Sequence, residues 1–201
     1  MPRQSLPYVR FPVGDMTKDE VRAHALRLGL PNAGKPESQE ICFIPDGDHA
    51  AFVALRAPVR KGPIVDRDGR VLGQHDGIHR YTIGQRRGLG SLPVFPPGAD
   101  AGKVYVTAID PTLGSVTVGA RADLDRREML VDDMQWWGPP PPARAHVQIR
   151  HRHPARPAAV DLLEGGRARV IFDDPERAIA PGQAAVFYDG DSVIGGGFIA
   201  A

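Results

Sequence analysis

The chain has 201 residues, 42% of them hydrophobic, which is enough for one large or two small globular domains and too apolar for a disordered chain. Its 25 basic and 24 acidic residues nearly cancel, so net charge alone points to neither nucleic acid nor membrane as a partner. A single cysteine excludes an intrachain disulfide framework and a cysteine-rich zinc site, and it fits a reducing compartment.

The opening MPRQSLPYVRFPVG lacks the charged-then-apolar pattern of a signal peptide, and no apolar run reaches membrane-spanning length. The expected location is therefore cytoplasmic, with no membrane partner. The first clear element is a helix in GDMTKDEVRAHALRLGLP. Thr17 caps it, Glu20 completes a capping box, and Val21, Ala25 and Leu28 recur on one face. Gly29 and Pro31 end it, and a weaker helical patch follows at residues 49 to 56.

Beyond residue 60 the pattern changes to short strands and tight turns. GPIVDRDGRVLG turns at Asp68-Gly69, and KVYVTAIDPTLGSVTVG alternates on both sides of Pro111 to Gly114. AHVQIRHRH reads as a strand, and AAVDLLEGGRARVIF and AVFYDGDSVIGGGFI read as hairpins. With 23 glycines and 20 prolines between short strands, a barrel or sandwich is favoured over a wound α/β sheet. The prolines 139 to 142 predict a stiff connector with a domain boundary beside it, and a second boundary is expected near residue 60.

Four places could carry function. Cys42 lies between Ile41 and Phe43, a setting that favours burial, and its neighbours Glu37, Glu40, Asp46 and Asp48 oppose thiolate formation. The residues alone leave it open whether Cys42 is a reagent or an inert core side chain. GIHRYTIGQRRGLG places Arg80, Arg86 and Arg87 among glycines, a pattern that suits close approach of a phosphate and equally a basic surface turn. RAHVQIRHRHPAR, residues 144 to 156, carries four arginines and three histidines. Read as one strand, it puts His146, Gln148, Arg150 and Arg152 on a wet basic face. Trp136 and Trp137 could stack on bases or anchor an interface. No metal site is expected, because Gly77 and a turn separate His75 from His79 and there is no HExxH.

Seven strings, in order, resemble the tRNA-specific 2-thiouridylases: FPVGDMTKDEVR, KPESQEICFIP, GPIVDRDGRVLGQHDGIHRYTIGQRRGLG, VYVTAIDP, IRHRHPA, RAIAPGQAAVFYDGD and IGGGFI. They run from about Phe11 to Ile199. The resemblance implies a mainly β chain in three parts. A short α/β remnant of a nucleotide-binding domain occupies residues 1–59, a small central β domain 60–128, and a C-terminal β-barrel similar to elongation-factor domain II 129–201.

The same resemblance implies an ATP-dependent tRNA-uridine 2-sulfurtransferase, with magnesium accompanying ATP in the full-length family. ATP adenylates the wobble uridine, and a cysteine persulfide delivers sulfur to its C2. Cys42, in SQEICF, inherits the persulfide role. Contacts to tRNA carry over to Arg150 and His151 in IRHRH and to Gln183 in APGQ, with Arg80, Arg86, Arg87 and Arg152 as further candidates. His151 stands where the family usually has tyrosine. Expected partners are tRNA, a sulfur-relay protein or cysteine desulfurase, and possibly a separate ATP-binding domain.

The SGGVDS-type ATP loop, the first catalytic cysteine and the KDQSYFL-like segment have no counterpart in this sequence. The expectation is that the chain starts inside the nucleotide domain and cannot thiolate tRNA alone. The competing readings are a catalytically inactive tRNA-binding β module and an elongation-factor-like interaction barrel.

Overall fold

The computed structural model describes residues 3–35, 44, 48–57, 59–90, 103–137 and 142–200. The chain divides into two compact units, Met1–Phe52 and Val53–Ala201. The expected division at 59/60 falls in the link between the last helix and the first strand, and that at 128/129 falls within a strand.

In the first unit the predicted capping box is present. The Thr17 hydroxyl accepts the Glu20 N–H at 3.4 Å, and the Glu20 carboxylate accepts the Thr17 N–H at 2.7 Å, starting helix α1 (Lys18–Arg27). The hydrogen bond from the Thr17 backbone, followed by that from its side chain, holds the Glu20 carboxyl below the usual range. No residue of α1 is fully buried, and Leu26 and Leu28 are exposed. Helix α2 (His49–Ala54) begins at Asp48, whose carboxylate accepts the Ala51 N–H at 2.9 Å.

The second unit begins with a four-stranded sheet of β1 (Gly62–Val65), β2 (Val71–His75), β3 (Tyr105–Asp110) and β4 (Ser115–Gly119), in the order β2-β1-β4-β3. Both hairpins are antiparallel, and β1 lies parallel to β4 between them. Their turns form because an aspartate at the head of each captures backbone donors. Asp66 accepts the N–H groups of Asp68 and Arg70, each at 2.9 Å, and Asp110 accepts those of Thr112 and Leu113 at 2.8 and 2.9 Å. Ile64, Leu89, Val106, Val116 and Val118 form the core of this sheet.

The chain then builds a closed barrel from β5 (Asp125–Trp136), β6 (Arg144–Gln148), β7 (Arg156–Leu163), β8 (Arg167–Arg177), β9 (Ala184–Asp189) and β10 (Ser192–Ile199). Its order is β10-β5-β8-β7-β6-β9, every neighbouring pair is antiparallel, and closure leaves no open sheet edge. Strand alternation fills the interior: Ala145 and Val147 on β6, Ala168, Val170 and Phe172 on β8, and Ala185 and Phe187 on β9 are all buried.

The proline run is not a domain boundary. Strands β5 and β6, on either side of residues 139–142, belong to the same barrel, so the run joins two of its strands. Neither does Trp136 stand out as a free stacking platform. Its ring meets Phe187 edge-on with centroids 5.1 Å apart and packs against the barrel core, and the Trp137 N–H donates to the Ile194 carbonyl at 3.0 Å.

The barrel closes where β10 passes Trp136, and only a glycine fits there. A β-carbon on Gly195 would lie 2.4 Å from the Trp136 ring and 2.8 Å from the Gln135 carbonyl. Gly195→Ala is expected to cost about 1–3 kcal/mol in urea unfolding followed by tryptophan fluorescence, the usual range for overpacking. An unchanged midpoint would contradict this register.

Candidate nucleic-acid interface

The basic run 144–156 folds as a strand followed by a turn. Alternation holds through β6, with Ala145 and Val147 inward and Arg144 and His146 outward, and Ile149 is still buried. Beyond it the expected strand stops. The His153 N–H donates to the Arg150 carbonyl at 3.2 Å, and Arg152 adopts φ +60°, so Arg150 to Arg152 form a turn and do not extend the wet face of β6. Pro154 follows at once, which removes one ladder donor and pushes His153 toward extended backbone.

This turn is tied down at both ends. The His153 ring reaches inward, placing Nε2 3.2 Å from the carboxylate of buried Glu176 on β8, while Arg156 Nε lies 3.4 Å from its other oxygen. The Gln148 side chain donates to the His153 carbonyl and accepts from the Tyr188 hydroxyl at 3.3 Å. Arg150 Nη1 donates to the Arg177 carbonyl at 3.0 Å. Arg150, His151 and Arg152 are all exposed on the turn so held.

Gln183 reaches the surface by a different device. In Ala180-Pro181-Gly182-Gln183, proline followed by a glycine at φ +82° matches a type II turn, and the Gln183 N–H returns to the Ala180 carbonyl at 3.3 Å. The Gly182 N–H donates to the Ile199 carbonyl and the Ile199 N–H to the Gln183 carbonyl, both at 2.9 Å, fixing the turn to β10.

A cleft of about 470 Å³ lies where the sheet meets the barrel, with Arg121, Arg150 and Arg177 on its walls beside Gly84 and Ala178. A second groove, of about 830 Å³, contains Gln183 with Tyr81 and Thr82. Ile83 lines both, so the depressions that hold Arg150 and Gln183 adjoin at that residue.

The glycine-rich loop 77–90 is stitched to β3. The Gly84 N–H donates to the Val106 carbonyl at 2.8 Å, and the Val106 N–H to the Gln85 carbonyl at 2.9 Å. The Gln85 side chain closes the loop by accepting the Thr82 N–H and donating to the Arg87 carbonyl. Arg86 and Arg87 are exposed on it but are absent from the linings of both depressions. Arg80 is also exposed, close to the Asp76 carboxylate. A hydrogen bond from Lys61 holds that carboxylate below its usual range, helped by the Lys61 charge and to a lesser extent by Arg80.

His75 is buried and has a structural task. Its Nδ1 accepts the Gly77 N–H at 3.0 Å, so Nε2 carries the proton and donates to the Gly114 carbonyl, also at 3.0 Å. Among the described residues, no group of three or more His, Cys, Asp or Glu side chains could hold a metal ion, and no helix is long and apolar enough to cross a membrane. Cys42 lies outside the described residues.

Three family matches cover most of the chain. Residues 126–199 match the aminomethyltransferase beta-barrel domain, residues 50–120 the tRNA methyl transferase PRC-barrel domain, and residues 1–46 the tRNA methyl transferase HUP domain. The tRNA-specific 2-thiouridylase MnmA of Paramagnetospirillum magneticum is 49% identical over 98% of the chain and 52% of its own length. That of Moorella thermoacetica is 48% identical over 98% and 55%, and that of Rhodospirillum centenum 48% over 96% and 51%. The chain belongs to the tRNA-specific 2-thiouridylase family. It spans about half the length of the 2-thiouridylases it matches.

Three residues in or beside the candidate site escape a reading of the sequence. Arg121 and Arg177 stand outside any basic run, in GARAD and PERA, and only the fold brings them beside Arg150. Glu176 carries no local signal for burial either, although its i+2 phase from Ala168, Val170 and Phe172 puts it on the inward-facing side if β8 is read through to its end.

Removing the Glu176 carboxylate leaves His153 without its buried partner. Glu176→Ala should cost about 3 kcal/mol in denaturant unfolding. Arg156→Ala should cost about 1 kcal/mol or less, because that guanidinium is half exposed. Equal losses would mean that burial of Glu176 does not set the cost.

Proposed function

We propose that this chain is the sulfur-delivering and tRNA-binding portion of an ATP-dependent tRNA 2-thiouridylase, acting on C2 of the wobble uridine. The observation that carries the reading is the pair of hydrogen-bonded turns that expose Arg150 with His151 and Gln183, with Arg150 and Gln183 in depressions that adjoin at Ile83. An arginine already held by one backbone carbonyl loses little freedom on meeting a phosphate, so its contact is pre-organised. His151 can stack on a splayed base or donate to it. Arg80, Arg86, Arg87 and Arg152 extend the positive surface on adjoining loops, where they strengthen encounter more than register.

Cys42 is the persulfide carrier in this reading, supported by the resemblance of SQEICF to the family string and by the match of residues 1–46 to the HUP domain. The outer sulfur of its persulfide attacks C2 of the activated uridine and displaces the activated oxygen. A second thiol, which this chain of one cysteine does not supply, then attacks the Cys42 sulfur, so that the S–S bond breaks, a disulfide with Cys42 forms and the sulfur stays on C2. A thiol reductant opens that disulfide, and a sulfur-relay protein or cysteine desulfurase reloads Cys42. ATP with magnesium supplies activation of the uridine oxygen in the whole enzyme. The described residues of the first unit do not fit that group. The N-terminus of α1 is already filled by the Glu20 carboxylate bonded to Thr17, and no triphosphate cradle is formed among them. No step of the ATP chemistry is assigned to this chain, and the 201 residues alone are not expected to thiolate tRNA.

The test is tRNA binding across a salt series. The wild-type chain should bind tRNA with an affinity that falls linearly in log–log against salt. Arg150→Ala should lose roughly 1.5–3 kcal/mol, as expected for a charge-assisted contact. No binding, or the same affinity in the variant, would contradict the reading.

A further inference from the structure

We propose that the cleft between the sheet and the barrel is a binding site for a backbone phosphodiester of an RNA strand, held by Arg121, Arg150 and Arg177 together. The inference rests on the tRNA-binding reading and deepens it by naming the group bound and two further residues that bind it.

The chemistry of the walls selects the ligand. Three of the eight residues lining the cleft are arginines, and none is acidic. Guanidinium groups brought to one depression offer an oxyanion a fork of donors, and Asp125 offsets part of the charge on Arg177 from outside the lining. Arg150 and Arg177 are fixed in advance. Arg177 Nε donates to Asp125 at 3.1 Å, which orients its guanidinium, and Arg150 donates to the Arg177 carbonyl at 3.0 Å. The rim is equally constrained, because the Ala178 N–H donates to the Leu124 carbonyl at 3.0 Å and Ala178 itself sits at φ +55°. A non-glycine residue held in that region is sparsely populated and is concentrated at binding sites.

Two features favour a strand over a small free anion. The cleft, at about 470 Å³, is within the range of about 300–1,000 Å³ typical of ligand pockets and far larger than a phosphate alone requires. Its remaining surface includes Ile83, Tyr105 and Leu124, apolar faces suited to a ribose or base and of no use to an inorganic ion. Ile83 also lines the Gln183 groove, so one strand can run from the cleft into that groove.

The experiment measures tRNA affinity of the 201-residue chain against salt for wild type, Arg121→Gln, Arg121→Lys and Arg150→Ala, with Arg169→Gln as control. Arg169 pairs with Asp161 on β7 and β8 and is not part of the cleft. Arg121→Gln should lower the log–log slope by about one and weaken binding several-fold at low salt, while Arg121→Lys and the control keep the wild-type slope. Thermal melts verify that Arg121→Gln is folded. A wild-type chain with no salt-dependent binding would overturn the tRNA reading together with this inference. Loss of slope in Arg150→Ala with Arg121→Gln unchanged would overturn the cleft alone. Inorganic phosphate competing at millimolar concentration, beyond chloride at matched ionic strength, would also overturn it by making the cleft a small-anion site.

Discussion

The close passage of β10 over β5 is the constraint on which the barrel depends. Gly195, Gly196 and Gly197 allow it. A β-carbon at Gly197 would lie 2.5 Å from the Asp132 carbonyl, as one at Gly195 would strike Trp136. Because β10 is paired to β5 on one side and β9 on the other, it is the strand that closes the ring. Closure in turn brings the end of β8, the turn after β6 and the turn before β9 to one rim. Those are the segments that carry Arg177, Arg150 and Gln183.

Within that rim a buried acid sets the shape of the basic turn. Glu176 is almost fully covered, yet its carboxylate meets His153 and Arg156, so the cost of burying it is offset by paired donors. The next residue along β8, Arg177, turns to the opposite face, where its carbonyl accepts from Arg150 and its side chain pairs with Asp125. One short stretch of β8 therefore anchors the turn from inside and orients its arginine from outside. That coupling is a structural reason why a run rich in arginine and histidine exposes Arg150, His151 and Arg152 and turns the His153 ring inward.

Much of this was legible in the sequence. The capping box at Thr17, the turns at Asp68-Gly69 and Pro111 to Gly114, and two of the barrel hairpins rest on local signals, and all appear where those signals lie. Long-range facts were not legible. The prolines 139 to 142 read as a linker because stiffness is a local property, whereas membership of both flanking strands in one barrel is a matter of pairing. The run 144–156 read as one continuous strand face, and Arg152 at φ +60° ended it. Arg121 joined the candidate site only through the fold, since a lone arginine in a turn carries no signal. The role of Cys42 was open on its neighbours alone and rests on the family resemblance.

The most direct test of the whole account is intact-protein mass spectrometry of the chain after incubation with a cysteine desulfurase and cysteine, with Cys42→Ala as control. The account predicts a gain of one sulfur atom that reductant removes and the control lacks, the signature of a persulfide on a reactive thiol. A folded chain that binds tRNA yet takes up no sulfur at Cys42 would contradict it, leaving an RNA-binding module without the sulfur chemistry.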